Sequence, residues 1–184
     1  MKKWIVPVLV LSVLVLGGVW LVIVNSELKR LDANINAQWK RVEAVHSERT
    51  ALIPTLMTAA EDYAEFDEET LDLLLRSHRE AQVAPMAGTE VKQLHLDRFQ
   101  KKQTTLASSV SEVWQVVDRY PYLKTYDAFK EPLEQLEAVA KKIQLEESKF
   151  NEQVGLYNIQ LEKFPKDIFG SILGYEHRDF FDPK

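Results

Sequence analysis

Apolar residues recur at alternating spacings of three and four over most of this chain, and that pattern constrains the fold more than any other feature. It is longest after Asp127, where the seam runs through Leu133, Leu136, Ala140, Ile143, Glu147, Phe150, Val154, Tyr157, Leu161 and Phe164. This spacing places all of these side chains on one face of an α-helix. The pattern therefore predicts a long helix that ends at Pro165, because proline cannot continue it.

Three further segments carry the same kind of pattern. The first seam contains Leu28, Leu31, Ile35, Gln38, Val42, Val45, Arg49, Leu52 and Leu56. A short helix over 68–83 has Leu71, Leu74, Leu75, His78 and Ala81 on one face, and a helix over 90–119 has Leu96, Phe99, Gln103, Leu106, Val110, Val113 and Val117. Pro54 is expected to kink the first helix or to begin a new one. The loop 84–88 and the proline after Tyr120 mark the other boundaries.

Residues 4–24 contain no charged side chain, and a helix of this length spans roughly 30 Å, the thickness of the hydrocarbon core of a bilayer. Lys2 and Lys3 precede this run, as they would in a secretory signal peptide. A small-residue cleavage site and a cysteine for lipidation are both missing, which favours an uncleaved transmembrane anchor. Lys29, Arg30 and other basic residues follow the run as well, so the side of the membrane is left undetermined.

The predicted fold class is all-α: an N-terminal transmembrane helix followed by an elongated antiparallel bundle of about four helices. Six glycines and seven prolines in 184 residues suit long helices better than many short strands. The expected organisation is a short tail over 1–3, an anchor over 4–24, a bundle over 25–165 and an aromatic C-terminal tail over 166–184. Short connections make neighbouring helices antiparallel.

The composition excludes several classes of function. There is no cysteine, so disulfides and sulfur-ligated metals are ruled out, and the net charge of −5 argues against nucleic-acid binding. The sequence lacks a nucleophile elbow, a phosphate-binding loop and a His-Glu-x-x-His run. We predict no catalytic residue, no cofactor and no metal site, although His46 with Glu43 forms a helical pair that could join a ligand set.

Several polar residues stand on or beside the seams. Glu147 occupies a seam position between Ile143 and Phe150, where it either sets the helix register by facing Arg49 or Gln103 or belongs to a functional site. Asn151 and Asn158 are seven residues apart and so share one side of the fourth helix. Their amides are expected either to bond between helices or to form a docking edge for a partner.

The C-terminal tail is too apolar to be left without contacts. Its apolar residues are Ile168, Phe169, Ile172, Leu173, Tyr175, Phe180 and Phe181. They are predicted to cap the bundle core, or to meet the membrane or another protein. Together with Asn151 and Asn158, they form our candidate partner-contact set.

Three patches give the chain a resemblance to a known family. They are Ile53-Pro54-Thr55-Leu56, Tyr120-Pro121-Tyr122-Leu123-Lys124, and Phe150-Asn151 with Tyr157-Asn158 and Phe164-Pro165. In order and spacing they resemble the LemA family, whose members commonly carry asparagine where this chain has Thr55. The resemblance covers essentially the whole chain and implies a transmembrane helix, a helical bundle and a place in the bacterial cytoplasmic membrane. It implies no agreed enzymatic activity.

The predicted function is a membrane-anchored, non-enzymatic scaffold or adaptor. It would contact the lipid bilayer through residues 4–24 and other membrane-associated proteins, or further copies of itself, through the bundle. The alternative is a membrane-bound hydrolase with a metal or carboxylate and histidine site between helices. A third possibility is that the tail and the anchor jointly remodel lipid.

Overall fold

The computed structural model describes residues 5–61, 63, 66, 68–82, 93–164 and 166–182, and within them the chain is helical without strands. The α-helices are α1 (Ile5–Glu61), α2 (Glu68–Ala81), α3 (Gln93–Arg119), α4 (Asp127–Glu162) and α5 (Lys166–Ile172), and a 3₁₀ helix spans Pro121–Thr125. The all-α prediction with about four long helices is confirmed. The predicted loop at 84–88 lies outside the described residues.

Helix α1 is continuous from Ile5 to Glu61. The Ser26 hydroxyl donates to the carbonyl of Ile23 within the helix. Pro54 also lies inside α1 and does not start a new segment. Ile53 and Leu56 on either side of it are fully buried, so packing holds the helix through the proline.

The predicted membrane span at 4–24 gains no support here. Among the helices in the described part of the chain, none combines the length and the apolarity that crossing a membrane requires.

The chain divides into two compact units. Unit 1 contains Met1–Ile35 and Glu152–Phe180, and unit 2 contains Asn36–Asn151 and Phe181–Lys184. Each unit therefore combines an early part of the sequence with a late part. Each has its own buried apolar side chains.

Unit 2 contains parts of α1 and α4 together with all of α2 and α3. Its core includes Leu74, Leu106 and Phe129, and the Ser77 and Ser109 hydroxyls join α2 to α3 at 2.6 Å. Contacts from α1 to α3 advance along both helices together, from Trp39 with Phe99 to Arg49 with Gln103, so these helices run in the same direction. This agrees with the prediction that neighbouring helices are antiparallel, because α2 lies between α1 and α3 in the sequence.

The α3 seam is confirmed at every predicted position, whereas the α1 seam lies one residue further along at alternate positions. The sequence pattern assigned Gln38, Val45 and Leu52 to the seam, but Trp39, His46 and Ile53 are the most deeply buried residues at those levels. Both series have a seven-residue repeat, so spacing alone did not separate them. This offset of one residue places a histidine and a tryptophan in the core.

In unit 1, residues 24–35 of α1 and 152–161 of α4 supply the buried side chains, among them Leu28, Val154 and Tyr157. The Tyr157 hydroxyl donates to the carbonyl of Glu176, and burial raises the pKa of this phenol to about 12. Phe164, predicted as the last seam residue of α4, is instead 80 % exposed, because the helix ends at Glu162.

Candidate functional site

Four polar side chains meet inside unit 2, and we call them the polar network. They are His46 and Arg49 from α1, Gln103 from α3 and Glu147 from α4. Their exposed fractions are 2, 9, 4 and 8 % in that order, so all four are withdrawn from water. Buried charges are costly unless they are paired, so the contacts within this group decide whether it can exist.

The contacts form a continuous chain across the three helices. His46 Nε2 lies 2.9 Å from Glu147 Oε1, and His46 Nδ1 lies 3.2 Å from Gln103 Oε1. Arg49 Nη2 donates to the Gln103 carbonyl oxygen at 2.9 Å and to Gln103 Oε1 at 2.7 Å. The same Arg49 nitrogen lies 3.3 Å from His46 Nδ1. The two residues of α1 thus join α1 to α3 and to α4.

The protonation states follow from this geometry. Burial is the main cause that lowers the pKa of His46, and the nearby Arg49 charge lowers it further, against the opposing pull of Glu147. A neutral ring then carries its proton on Nε2, where it donates to Glu147, and offers Nδ1 as an acceptor to Arg49. In this tautomer His46 Nδ1 lies beside Gln103 Oε1 without a hydrogen bond between them, because both atoms are acceptors. Burial lowers the pKa of Arg49 to about 10, so the guanidinium remains charged near neutral pH. One cation and one anion balance each other.

Aromatic rings surround the polar network. The Trp39 ring meets Phe99 edge-on at a centroid distance of 5.0 Å and Phe150 at 5.5 Å. The His46 ring meets Phe99 at 5.0 Å and Phe181 at 6.2 Å. These rings exclude water from the polar groups, which strengthens the hydrogen bonds and increases the cost of losing a partner.

This arrangement is better suited to fixing helix register than to catalysis. A histidine beside a carboxylate is a common acid–base pair, but His46 Nε2 donates to Glu147, His46 Nδ1 accepts from Arg49, and the ring is almost fully buried. Across the residues that the structure describes, no group of three His, Cys, Asp or Glu side chains could hold a metal ion. A shift of α1 against α4 by a single residue would separate the buried charges of Arg49 and Glu147.

The predicted position of Glu147 is confirmed in part. It lies in the seam and interacts electrostatically with Arg49, as expected, but its direct partner is His46. The sequence contained a usable signal for this histidine, since Trp39, His46 and Ile53 repeat every seven residues. The polar seam positions Arg49, Gln103 and Glu147 were visible as well, and Glu147 was expected to face Arg49 or Gln103 but not His46.

Asn151 and Asn158 contact the C-terminal tail through paired hydrogen bonds. In unit 2, Asn151 Nδ2 donates to the carbonyl of Phe181 and the Phe181 amide donates back to Asn151 Oδ1, each at 2.7 Å. In unit 1, Asn158 and Arg178 make the same two bonds at 2.8 and 2.9 Å. Each carboxamide acts like the edge of a strand for one residue of extended chain.

The structure separates the tail residues of the candidate partner-contact set into three groups. Phe181 is buried against Trp39, and the Tyr175 hydroxyl donates to Asn25 Oδ1 at 2.7 Å. The exposed members are Ile168, Ile172, Leu173 and Phe180. Phe169 lies in α5, and its side chain falls outside the described part of the structure. Partner contact through Asn151 or Asn158 would require these amides to release the tail, and it stays a prediction.

A model of the LemA family matches residues 38–184, which covers all of the polar network and both tail-binding asparagines. The comparison with curated proteins finds no match.

Proposed function

The chain belongs to the LemA family, and on that premise we propose that it is a non-enzymatic helical scaffold held at a membrane by residues 4–24. The main support is the exposure of apolar side chains at the start of α1. Between residues 9 and 23 these are Leu9, Leu11, Leu14, Val15, Leu16, Val19, Val22 and Ile23. So many exposed apolar side chains in one stretch are costly in water and favourable in lipid.

A scaffold also needs surface for partners, and α4 offers one. Leu156 and Ile159 are exposed in unit 1 and lie three residues apart, so they share one side of the helix. They are the contact that we propose for another membrane-associated protein or for a second copy of the chain. The polar network supports this role indirectly, because both ring nitrogens of His46 and the Glu147 carboxylate are engaged inside unit 2.

Membrane attachment is tested with full-length protein made in bacterial cells. Membranes are collected and extracted with alkaline carbonate, which releases peripheral proteins. We expect the protein to stay in the pellet, and a Leu14→Glu/Val15→Glu variant to leave it. Leu145→Glu, a charge placed on an exposed apolar residue of α4, is the matched control and should stay in the pellet. Release of the unsubstituted protein would contradict the proposal.

The scaffold role is tested by photo-crosslinking in the same cells. A photoreactive residue at Leu156 or Ile159 should yield reproducible crosslinks to one protein or to the chain itself, whereas one at exposed Glu152 should yield none. Absence of products from both apolar positions would count against the scaffold.

Within the described part of the chain, His46 and Glu147 form a carboxylate and histidine pair that spans two helices, and the alternative hydrolase would use this pair. Their burial and mutual engagement oppose it. Metal analysis of the purified full-length protein separates the two functions, since a stoichiometric zinc or iron content would favour the hydrolase.

A further inference from the structure

Helix α5 and its flanking residues expose an unusual amount of apolar surface for so short a segment. The exposed fractions are 80 % for Phe164, 51 % for Ile168, 73 % for Ile172 and 43 % for Leu173. Ile168 and Ile172 are four residues apart and therefore lie on the same side of the helix. Apolar side chains clustered in this way mark a contact surface.

The opposite side of α5 is held against α4 within unit 1. Gly170 is buried there, and a Cβ atom at this position would collide with the Leu161 side chain. Because Gly170 lies between Ile168 and Ile172 in the sequence, it faces away from them on the helix. The glycine allows the close approach, and the two isoleucines are directed outward.

Two hydrogen bonds determine which residues of α1 lie beside this segment. The Tyr175 hydroxyl donates to Asn25 Oδ1, and Lys166 Nζ donates to Glu27 Oε2, each at 2.7 Å. Asn25 and Glu27 come directly after the exposed apolar stretch of α1, whose last exposed member is Ile23. The apolar side of α5 therefore lies where that stretch ends, and the Lys166 charge is neutralised by Glu27.

We propose that α5 is an interfacial helix whose Ile168 and Ile172 side chains, flanked by Phe164 and Leu173, insert at the acyl-chain boundary of a lipid bilayer. We assign lipid as the partner of this surface because it lies beside the C-terminal end of the exposed apolar stretch of α1, where polar residues begin. The inference rests on the proposed membrane attachment. A second point of contact with the bilayer would limit the tilt of unit 1.

The chain has no cysteine, so single spin labels can be introduced without a background. Full-length Ile172→Cys, Leu16→Cys and Asp179→Cys variants are labelled and reconstituted in phosphatidylcholine–phosphatidylglycerol vesicles. Collision rates with oxygen, which concentrates in lipid, and with a water-soluble nickel chelate are then compared. Ile168→Cys provides a second label on the same side of α5, and circular dichroism verifies that each variant is helical.

We expect oxygen to dominate at residues 16, 168 and 172, and nickel to dominate at residue 179, an exposed polar position of the same unit. Nickel dominance at 168 and 172 with oxygen dominance at 16 would overturn the role of α5 and leave membrane attachment intact. Nickel dominance at all four positions would overturn both proposals.

Discussion

Asn151 forms two hydrogen bonds with the main chain of Phe181. Its Nδ2 group donates to the Phe181 carbonyl, and its Oδ1 atom accepts from the Phe181 amide, each at 2.7 Å. Both atoms of the side-chain amide are needed, because Nδ2 must donate while Oδ1 accepts. A carboxylate of the same shape would fulfil only half of this role.

Asn151→Asp should therefore destabilise unit 2 by about 2 kcal/mol, since the second oxygen would face the Phe181 carbonyl in place of a donor. Urea unfolding of the full-length protein in detergent measures the change. Gln144→Glu is the matched control, an amide-to-acid exchange at an exposed position of the same helix, and should change stability by less than about 0.5 kcal/mol. Equal effects of the two substitutions would contradict the paired hydrogen bonds.

The adjacent residues Phe180 and Phe181 allow a test of whether the tail contributes to the core. Phe181 is 5 % exposed and packs against Trp39, whereas Phe180 is 54 % exposed. Phe181→Ala should cost about 3 kcal/mol through lost burial and the cavity left behind, and Phe180→Ala much less. If urea midpoints of the two variants coincide, Phe181 is not part of the core.

The polar network makes stability depend on pH. The pKa of His46 is lowered in the folded state. At pH values between this lowered pKa and about 6.5, the unfolded chain therefore binds more protons than the folded chain does. Stability is then present above about pH 6.5 and is lost as the pH falls through this window. Urea midpoints at several pH values from neutral down to about 5 measure the loss.

His46→Gln should flatten this pH profile, because glutamine does not titrate. Burial lowers the pKa of His78 as well, so some dependence of stability on pH should remain. A His78→Gln variant measures the contribution of His78 to that dependence. The assignment to His46 fails if the His46→Gln profile keeps the slope of the unsubstituted protein.

Glu147→Gln should destabilise unit 2 by about 3 kcal/mol, because it leaves the Arg49 charge buried without a counter-charge. Removing both charges in Arg49→Met/Glu147→Gln should recover part of the loss, and a double-mutant cycle in urea measures the coupling. Glu137→Gln, which removes an exposed ion pair with Lys141, should change little. Additive effects of the two network substitutions would show that Arg49 and Glu147 are not coupled.

The sequence predicted the helices well because periodic apolar spacing is a local property. All seven α3 seam positions are buried, and α3 ends at Arg119, ahead of the 3₁₀ helix that Pro121 begins. The α1 seam was wrong by one residue at alternate positions because two seven-residue series fit the same helix. Burial of His46 depends on partners 57 and 101 residues away, which spacing cannot reveal.

The tail was harder to predict for a different reason. Asn151 and Asn158 were recognised as a pair on one side of α4, but their partners are main-chain atoms of Phe181 and Arg178. Main-chain groups are the same at every residue, so an extended segment carries no periodic signal of where it binds. The division of tail residues into buried Phe181 and exposed Phe180 became clear only from the structure.

Trp39 acquires a practical use from its surroundings. Its indole is buried and packs against Phe150 of α4 and Phe181 of the C-terminal tail. Its fluorescence therefore depends on whether the tail is bound. Replacing the other three tryptophans with phenylalanine would leave Trp39 as a single emitter. Departure of the tail would admit water to the ring and move its emission to longer wavelength, which gives an optical signal for tail binding in the intact protein.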